Sequence, residues 1–499
     1  MNGKFSKTGS FLSLLAILMC NVCMASAQAE QVTGVRDDEQ PGILNRLWSD
    51  PLRADPNRLS QGVVLPGDAT PTLCPPQVNL SSPLSLVNAV DLALCSNPQL
   101  RDTWAQIKVQ TAQEGQARAA YLPTLSAQVS RLNNRTAYPD FSSANSTTWG
   151  HMTYVSLSWL LFDFGGRSSS LEAADDALRA AIDNHDAEMQ KLLGEVISDY
   201  FNAITAQAKV NASVEDRKLA SETENSALRR LEYGEGNQGD LMQARTAAAK
   251  VGLTLARNTG ERDKAKAELV YALGLTSGSN ISVPEILEPK RSEAITALSS
   301  WLELAARNQP AIKAAKEHWA ATQAKIRSTQ SEGLPTLSFV STFDQNGYPN
   351  QGLQTTKVNV TAFGLMLTMP IFDGFSQHYK VAEAMAQADI AQAQMQDTQH
   401  QMLKQVVTAY GDTVSAFDSL DESRILLESA QKALESAKNR YEHGVGSMIE
   451  LLSAQSALAD ARQQRLESLA QWYAGRLELL AVSGVLGHAE LDLDSEKNQ

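Results

Sequence analysis

Aromatic residues make up only 6% of this 499-residue sequence while hydrophobic residues reach 43%, so its interior has to be assembled largely from Ala, Leu and Val. Small side chains of that kind point to closely packed helices. Positive charge is also short: 43 Lys and Arg stand against 56 Asp and Glu, and no basic run occurs. That balance excludes a nucleic-acid binder, which needs clustered cations to displace phosphate counterions, and it fits poorly with docking on anionic lipid. Beyond the N-terminal region no stretch of 18 or more apolar residues occurs, so there is no transmembrane helix. Entry into a membrane would require a β-barrel. The seven histidines (151, 185, 318, 378, 400, 443 and 488) show neither HExxH nor any paired ligand spacing, and no GxSxG elbow exists. His185 falls at a helix-seam position and reads as a packed core residue. Gly234-x-Gly236-x-x-Gly239 matches a dinucleotide fingerprint in spacing alone, because it follows a long helical pattern instead of a strand, and its later counterpart at Gly444-x-Gly446 lacks the third glycine. No cofactor, metal or catalytic group is expected.

Cysteine is nearly absent, with four in the whole chain. Cys20 and Cys23 belong to residues 1–27, where Lys4 and Lys7 precede the short apolar run Phe11 to Cys20 and Ala25-Ser26-Ala27 offers a cleavage site. The run is too short to span a bilayer, so a removable signal peptide is expected and a short membrane anchor is disfavoured. Neither cysteine follows the small residue that a lipoprotein signal needs. Loss of Lys4 and Lys7 takes the net charge from -13 to -15. The exported chain keeps Cys74 and Cys95 in an oxidising setting where a disulfide is chemically allowed; the sequence leaves paired and free thiols both open.

What the chain has in abundance is itself, twice. Pro98 and Pro123 recur as Pro310 and Pro335 at an offset of 212, while Phe162-Asp163, Tyr200, Arg230, Glu232, Gly234, Gly236 and Gly274 recur 210 residues later. Even spacing over so many positions marks an internal duplication. The organisation expected is a signal peptide (1–27), an extended N-terminal arm (28–83), a first repeat (84–275), a connector (276–296), a second repeat (297–486) and a short tail (487–499).

Each repeat opens with a helix, expected as one piece of about 35 residues from Leu84 to Ala120 in the first, closed by a Leu-Pro. A hairpin follows (124–162 and 336–372). Leu125, Ala127 and Val129 alternate with Ser126, Gln128 and Ser130, and Val155, Leu157, Trp159 and Leu161 alternate with serines. The second repeat carries Leu337, Phe339 and Phe343, then Phe363, Leu365, Leu367, Met369 and Ile371. Strands of about ten residues, a long polar loop and flanking Trp149, Tyr154, Trp159, Phe162, Phe372 and Phe375 suit an outer-membrane hairpin, with a soluble hairpin as the alternative. Then comes a very long helix: no proline occurs from Arg167 to Glu232, and Leu178, Ile182, His185, Met189, Leu192 and Val196 fall at spacings of four and three. About 65 residues at roughly 1.5 Å each give about 100 Å. A Gly-rich turn, YGEGNQGD or YEHGVGSM, reverses the chain into a return helix. A cytosolic coiled-coil tether would account for the helices, but not for the hairpins or the signal.

Four strands cannot close a barrel, and lipid tolerates no open edge, so several chains must share one. The motifs NP, YLPTL, LFDFGGR or PIFDGF, RLEYGEGNQGDLMQA and RYEHGVGSMIELLSA resemble those of the TolC family of outer-membrane export channels from about Leu84 to Leu486. More narrowly, Cys74, the run LALC with Asn97-Pro98, Trp104 and Tyr121 to Leu125 resemble the CyaE-type branch, which serves type I secretion of haemolysin-like toxins. The resemblance implies a mixed α/β membrane protein, a homotrimer whose twelve-stranded barrel (four strands per chain) sits in outer-membrane lipid and continues as a periplasmic coiled-coil tunnel. It implies a periplasmic adaptor, an inner-membrane ABC transporter or proton-driven pump, and an exported protein or small-molecule cargo; no nucleic acid is involved. A periplasm-spanning protein with no transport role stands as a further alternative.

Site roles follow only where residues match. The turns Gly234 to Asp240 (with Gly236 and Gly239) and Gly444 to Glu450 (with Gly446) correspond to the family's adaptor-docking tips. Glu450 matches one acidic position ringing the tunnel entrance, while the second is Ser453 here. The bland alternative for Glu450 is a carboxylate favoured by a helix N-terminus. Asp240 and Tyr441 match a pair that latches neighbouring coiled coils, and Gly446 replaces the arginine of the companion latch.

Overall fold

A computed structural model describes Leu65 and residues 82–491, apart from 138, 141–144, 277, 287, 290–294 and 348–357. The expected signal peptide, nearly all of the arm, and Cys74 with it lie outside the described residues. The described elements run α1 (Leu86–Ser96), α2 (Pro98–Ala119), β1 (Thr124–Thr136), β2 (Ser146–Phe162), α3 (Gly166–Glu232), α4 (Gln238–Ala272), α5 (Leu298–Asn308), α6 (Pro310–Ser331), β3 (Thr336–Asn346), β4 (Val358–Thr368), α7 (Ser376–Glu442), α8 (Met448–Val482) and α9 (His488–Leu491).

The expected first helix of about 35 residues is two. Pro98 lacks an N–H and forces Asn97 into an extended conformation (φ -67°, ψ 127°), so α1 stops and α2 starts afresh with Asn97 Oδ1 accepting from the Gln99 N–H at 2.8 Å. The break has a use. Asn97 Nδ2 donates to the carbonyl of Ala272, the last residue of α4, at 3.1 Å. In the second repeat Gln309 Nε2 donates likewise to Val482 O, at the end of α8. Each buried amide therefore joins two shorter helices end to end. The approach is so close that a Cβ on Gly274 would lie 2.8 Å from the carbonyl of Ser96, and Gly274 also has φ +68°. Only glycine suits that position.

The long helices α3 and α7, 67 residues each, run unbroken past these joints. The N-terminal part of α3 packs between α2 and α6, as Thr103 Oγ1 to His185 Nδ1 (2.7 Å) and Ser170 to Ser328 (2.7 Å) mark; its C-terminal part packs against α4 and α8. Seam residues Met189, Leu192 and Val196 are buried, but Ile182 is 43% exposed. It lies before the point where α3 changes partners, so one heptad frame does not describe the whole helix. His185 packs edge-on to Trp104, and burial pushes its ring pKa down. Around the joints the largest core brings Leu193, Ile197, Tyr200 and Phe201 of α3 against Val90 of α1, Leu269 of α4, and Trp472 and Leu477 of α8.

β1 to β4 form one antiparallel sheet in sequence order, the two hairpins joined through β2 and β3. Register puts Leu125 opposite Leu157, Val155 opposite Phe343, and Phe339 between Trp159 and Leu365. β4 stops at Thr368, short of the expected 372, because Pro370 cannot donate to a ladder. Asp163 Oδ2 and Asp373 Oδ2 each cap a long helix, accepting from the N–H of Arg167 (2.8 Å) and Gln377 (2.6 Å).

Where α3 meets α6, Asp186 is half-buried and its carboxyl is pushed up to about 6, first by burial and then by Asp183, with Lys313 opposing. The folded chain thus keeps a proton that the unfolded chain releases near pH 4, so stability falls as pH rises from about 4 to about 6. Asp186→Asn should raise stability at pH 7 by roughly 1 kcal/mol and flatten that slope. Thermal melts across pH 4 to 7 check this; an unaltered slope would count against it.

Candidate functional site

The sheet and the helical turns are the two places where the fold exposes chemistry. On one face of the sheet stand Leu125, Val155, Leu157, Trp159, Leu337, Phe339, Phe363, Leu365 and Leu367; on the other, mostly polar, stand Ser126, Gln128, Ser156, Ser158, Ser338 and Thr342, with Val340, Val360 and Met366 among them. The apolar face is bare: Leu125 is 71% and Phe363 78% exposed. Among the described residues β1 and β4 each pair on one side only. An apolar face, a polar face and two open edges are what a sheet needs to stand between lipid and water once its edges find partners. Aromatic pairs sit where strands give way to helices, Phe162 with Phe164 at 4.8 Å and Phe372 with Phe375 at 5.6 Å.

At the opposite end of the long helices both turns have one design. The carbonyl of Arg230 accepts from the N–H groups of Glu235 (2.8 Å) and Gly236 (3.0 Å), and the carbonyl of Arg440 from Val445 (2.9 Å) and Gly446 (3.0 Å). Gly234 and Gly444 take φ +78° and +76°, and a Cβ on Gly446 would meet the Tyr441 nitrogen at 2.9 Å. Asn237 and Ser447 then cap the return helices, accepting from the N–H of Asp240 (2.9 Å) and Glu450 (3.2 Å). Gly239 differs: its Cβ would meet no backbone, only the capping Oδ1 of Asn237 at 2.9 Å, and Ile449 occupies the twin position 67% exposed.

Two arginines that sequence reasoning did not assign to the site organise the tips. Arg230, at the end of α3, donates to the carbonyls of Tyr441 and Glu442, both at 3.0 Å, and lies 4.5 Å over the Tyr441 ring. It thereby ties the tip of the first helix pair to that of the second, a cation on the negative end of α7. Arg440 bonds Glu450 at 3.0 Å within its own tip. The signal for both was available: each is basic, each falls in the last turn of a long helix, and they stand 210 residues apart.

Tyr441 is buried; burial pushes its hydroxyl pKa up, Asp240 adds to the rise, and the charge and hydrogen bond of Arg230 oppose it. Asp240 and Tyr441 are thus electrostatic neighbours within one chain. Glu450 is half-exposed in the first turn of α8, and Ser453 is exposed one turn on. Cys95 is disulfide-bonded. Its sequence-expected partner, Cys74, lies outside the described residues.

A family model for the outer membrane efflux protein matches residues 89–275 and 301–485, one block in each repeat. The chain belongs to this outer membrane efflux protein family. It is similar to Protein CyaE of Bordetella pertussis, 33% identical over 435 residues that make up 86% of this chain and 91% of that protein. The alkaline protease secretion protein AprF of Pseudomonas aeruginosa is 20% identical over 82% of this chain and 86% of its own. The crystal structure of the Campylobacter jejuni CmeC outer membrane channel shares the fold, with a TM-score of 0.72 at 20% identity, covering 86% of this chain and 96% of that one. As a family member the chain has its place in the outer membrane, with a large periplasmic part.

The tip glycines are not equivalent. Gly446→Ala should loosen the second turn, because its Cβ meets backbone, whereas Gly239→Ala should change protection less, because only the Asn237 side chain has to shift and the gain in helix propensity offsets a weakened cap. Amide hydrogen exchange at residues 440–450 and 230–240 reads both; equal protection in the two variants would overturn the distinction.

Proposed function

We propose that three copies of this chain form a duct from periplasm to exterior, the outer-membrane member of a tripartite export system. The observation that carries the reading is the four-stranded sheet with one apolar face, one polar face and two open edges, continued by helices of 67 residues. At roughly 1.5 Å per residue those helices reach about 100 Å, the scale of a periplasm. Eight strands from two copies would be plugged by side chains, whereas twelve from three leave an aqueous lumen.

In this reading the turns Gly234 to Asp240 and Gly444 to Glu450 meet a periplasmic adaptor, which links the duct to an inner-membrane transporter. Asp240 and Tyr441 act as a latch, and three Glu450 carboxylates, with Ser453 a turn further on, ring the entrance. Like charges around one axis attract cations. Similarity to CyaE at 33% identity over most of both chains, and to a protein named for protease secretion, favours type I secretion of a protein, driven by an ABC transporter. The family's description favours the second reading, efflux of small molecules, in which the partner is an ABC transporter or a proton-driven pump. The cysteine pair Cys74 and Cys95 would fasten the N-terminal arm to α1.

Native mass and planar-bilayer conductance of the purified protein test the duct. A trimer with discrete cation-selective openings is expected, and Glu450→Gln should lose most of that selectivity. A monomer, or an electrically silent oligomer, would sink the duct; unchanged selectivity in Glu450→Gln would sink the ring alone.

A further inference from the structure

The two tips carry the same arginine, yet only one of them reaches across to another tip. Arg230 spans from the end of α3 to the end of α7 and holds the carbonyls of Tyr441 and Glu442. Arg440 occupies the twin position at the end of α7, with the same turn behind it, and is 54% exposed. The carbonyls equivalent to those of Tyr441 and Glu442 are those of Leu231 and Glu232, and among the described residues no arginine of the same chain reaches them. α3 packs on α8 within the chain, so the free flank of the second helix pair is the α7 side and that of the first is the α4 side.

We infer that Arg440 caps the C-terminal end of α3 in the next copy of the chain, through the carbonyls of Leu231 and Glu232, repeating between chains what Arg230 does within one. The inference rests on the ring assembly proposed above, in which second tip and next first tip are neighbours. Duplication supplies its geometry: the step that carries the first repeat onto the second, applied once more, carries Arg230 and Tyr441 onto Arg440 and Leu231. The guanidinium has five donors, so it can keep Glu450 at 3.0 Å while donating to two carbonyls. Glu450 is then a positioning residue that aims Arg440 as well as a charge at the entrance. The helix end is negative and accepts the cation. One difference follows from the residues themselves. Tyr441 gives Arg230 an aromatic face, while Leu231 gives Arg440 none, so the contact between chains is the weaker of the two and the tip parts between chains first.

The test uses full-length protein carrying Arg440→Cys with Glu232→Cys, treated with a short bis-maleimide and run on a denaturing gel, alongside native mass. Arg230→Cys with Glu442→Cys is the internal reference, since it links within one chain and shows that the reagent spans this geometry. Covalent dimers and trimers from the first pair, absent from each single variant, are expected. A trimer by native mass whose 440–232 pair yields no ladder, while the reference pair links, overturns this inference and leaves the duct standing. A monomer by native mass overturns the duct and the inference with it. In bilayers Arg440→Ala should raise the resting conductance several-fold; a conductance equal to that of the parent protein counts against the cap.

Discussion

An unpaired strand edge, which hydrocarbon does not tolerate, is the constraint on which the proposed assembly depends. Among the described residues β1 and β4 each leave one side without a partner, and an unsatisfied backbone group costs several kcal/mol where no water can reach it. A four-stranded sheet is too narrow to curl onto itself, so in the proposed duct the edges pair with those of other copies. The sheet's two faces agree with that demand: the leucines and phenylalanines opposite one another in register suit lipid, and the serines and threonines behind them suit water. The helices inherit the arrangement, because β2 runs into α3 and β4 into α7 through aspartate-capped elbows.

Duplication lets a single chain solve each local problem twice. The elbow, the amide joint and the Gly-rich turn all recur, and the substitutions between the copies are informative. Arg167 bonds the carbonyl of Leu160 at 2.6 Å and lies over Tyr121, while its twin Gln377 instead bonds the carbonyl of Thr329. Gly239 gives way to Ile449 where the cap beside it changes from Asn237 to Ser447. Asn97 gives way to Gln309, one methylene longer, with the same hydrogen bond to the end of the return helix. The second repeat is thus an adapted copy, and the adaptations fall where neighbours differ.

Much of this could be read from the chain alone, for physical reasons. Strand alternation at Leu125, Ala127 and Val129 encodes a face, and the face encodes a register, since a slip of one residue would turn every leucine to the wrong side. The absence of proline from Arg167 to Glu232 and the glycines at 234 and 444 located the long helix and its turn. The break at Asn97 was harder to see, because Leu86 to Ala119 carries helical composition throughout and only Pro98 speaks against continuity. The exposure of Ile182 could not be read either: heptad spacing reports one partner, and α3 changes partners near Met189. At the tips the sequence pointed to Asp240, Tyr441 and Glu450. It did not single out Arg230, whose contacts lie about 210 residues away and depend on how two helix pairs lie side by side.

The amide joints give the molecule a mechanical division of labour. α3 and α7 run unbroken from sheet to tip and behave as struts, while their companions are each cut in two and sewn by a single side chain, Asn97 or Gln309. The companions therefore hand load across a break in the chain, and the packed core around the first joint carries it together with the amide.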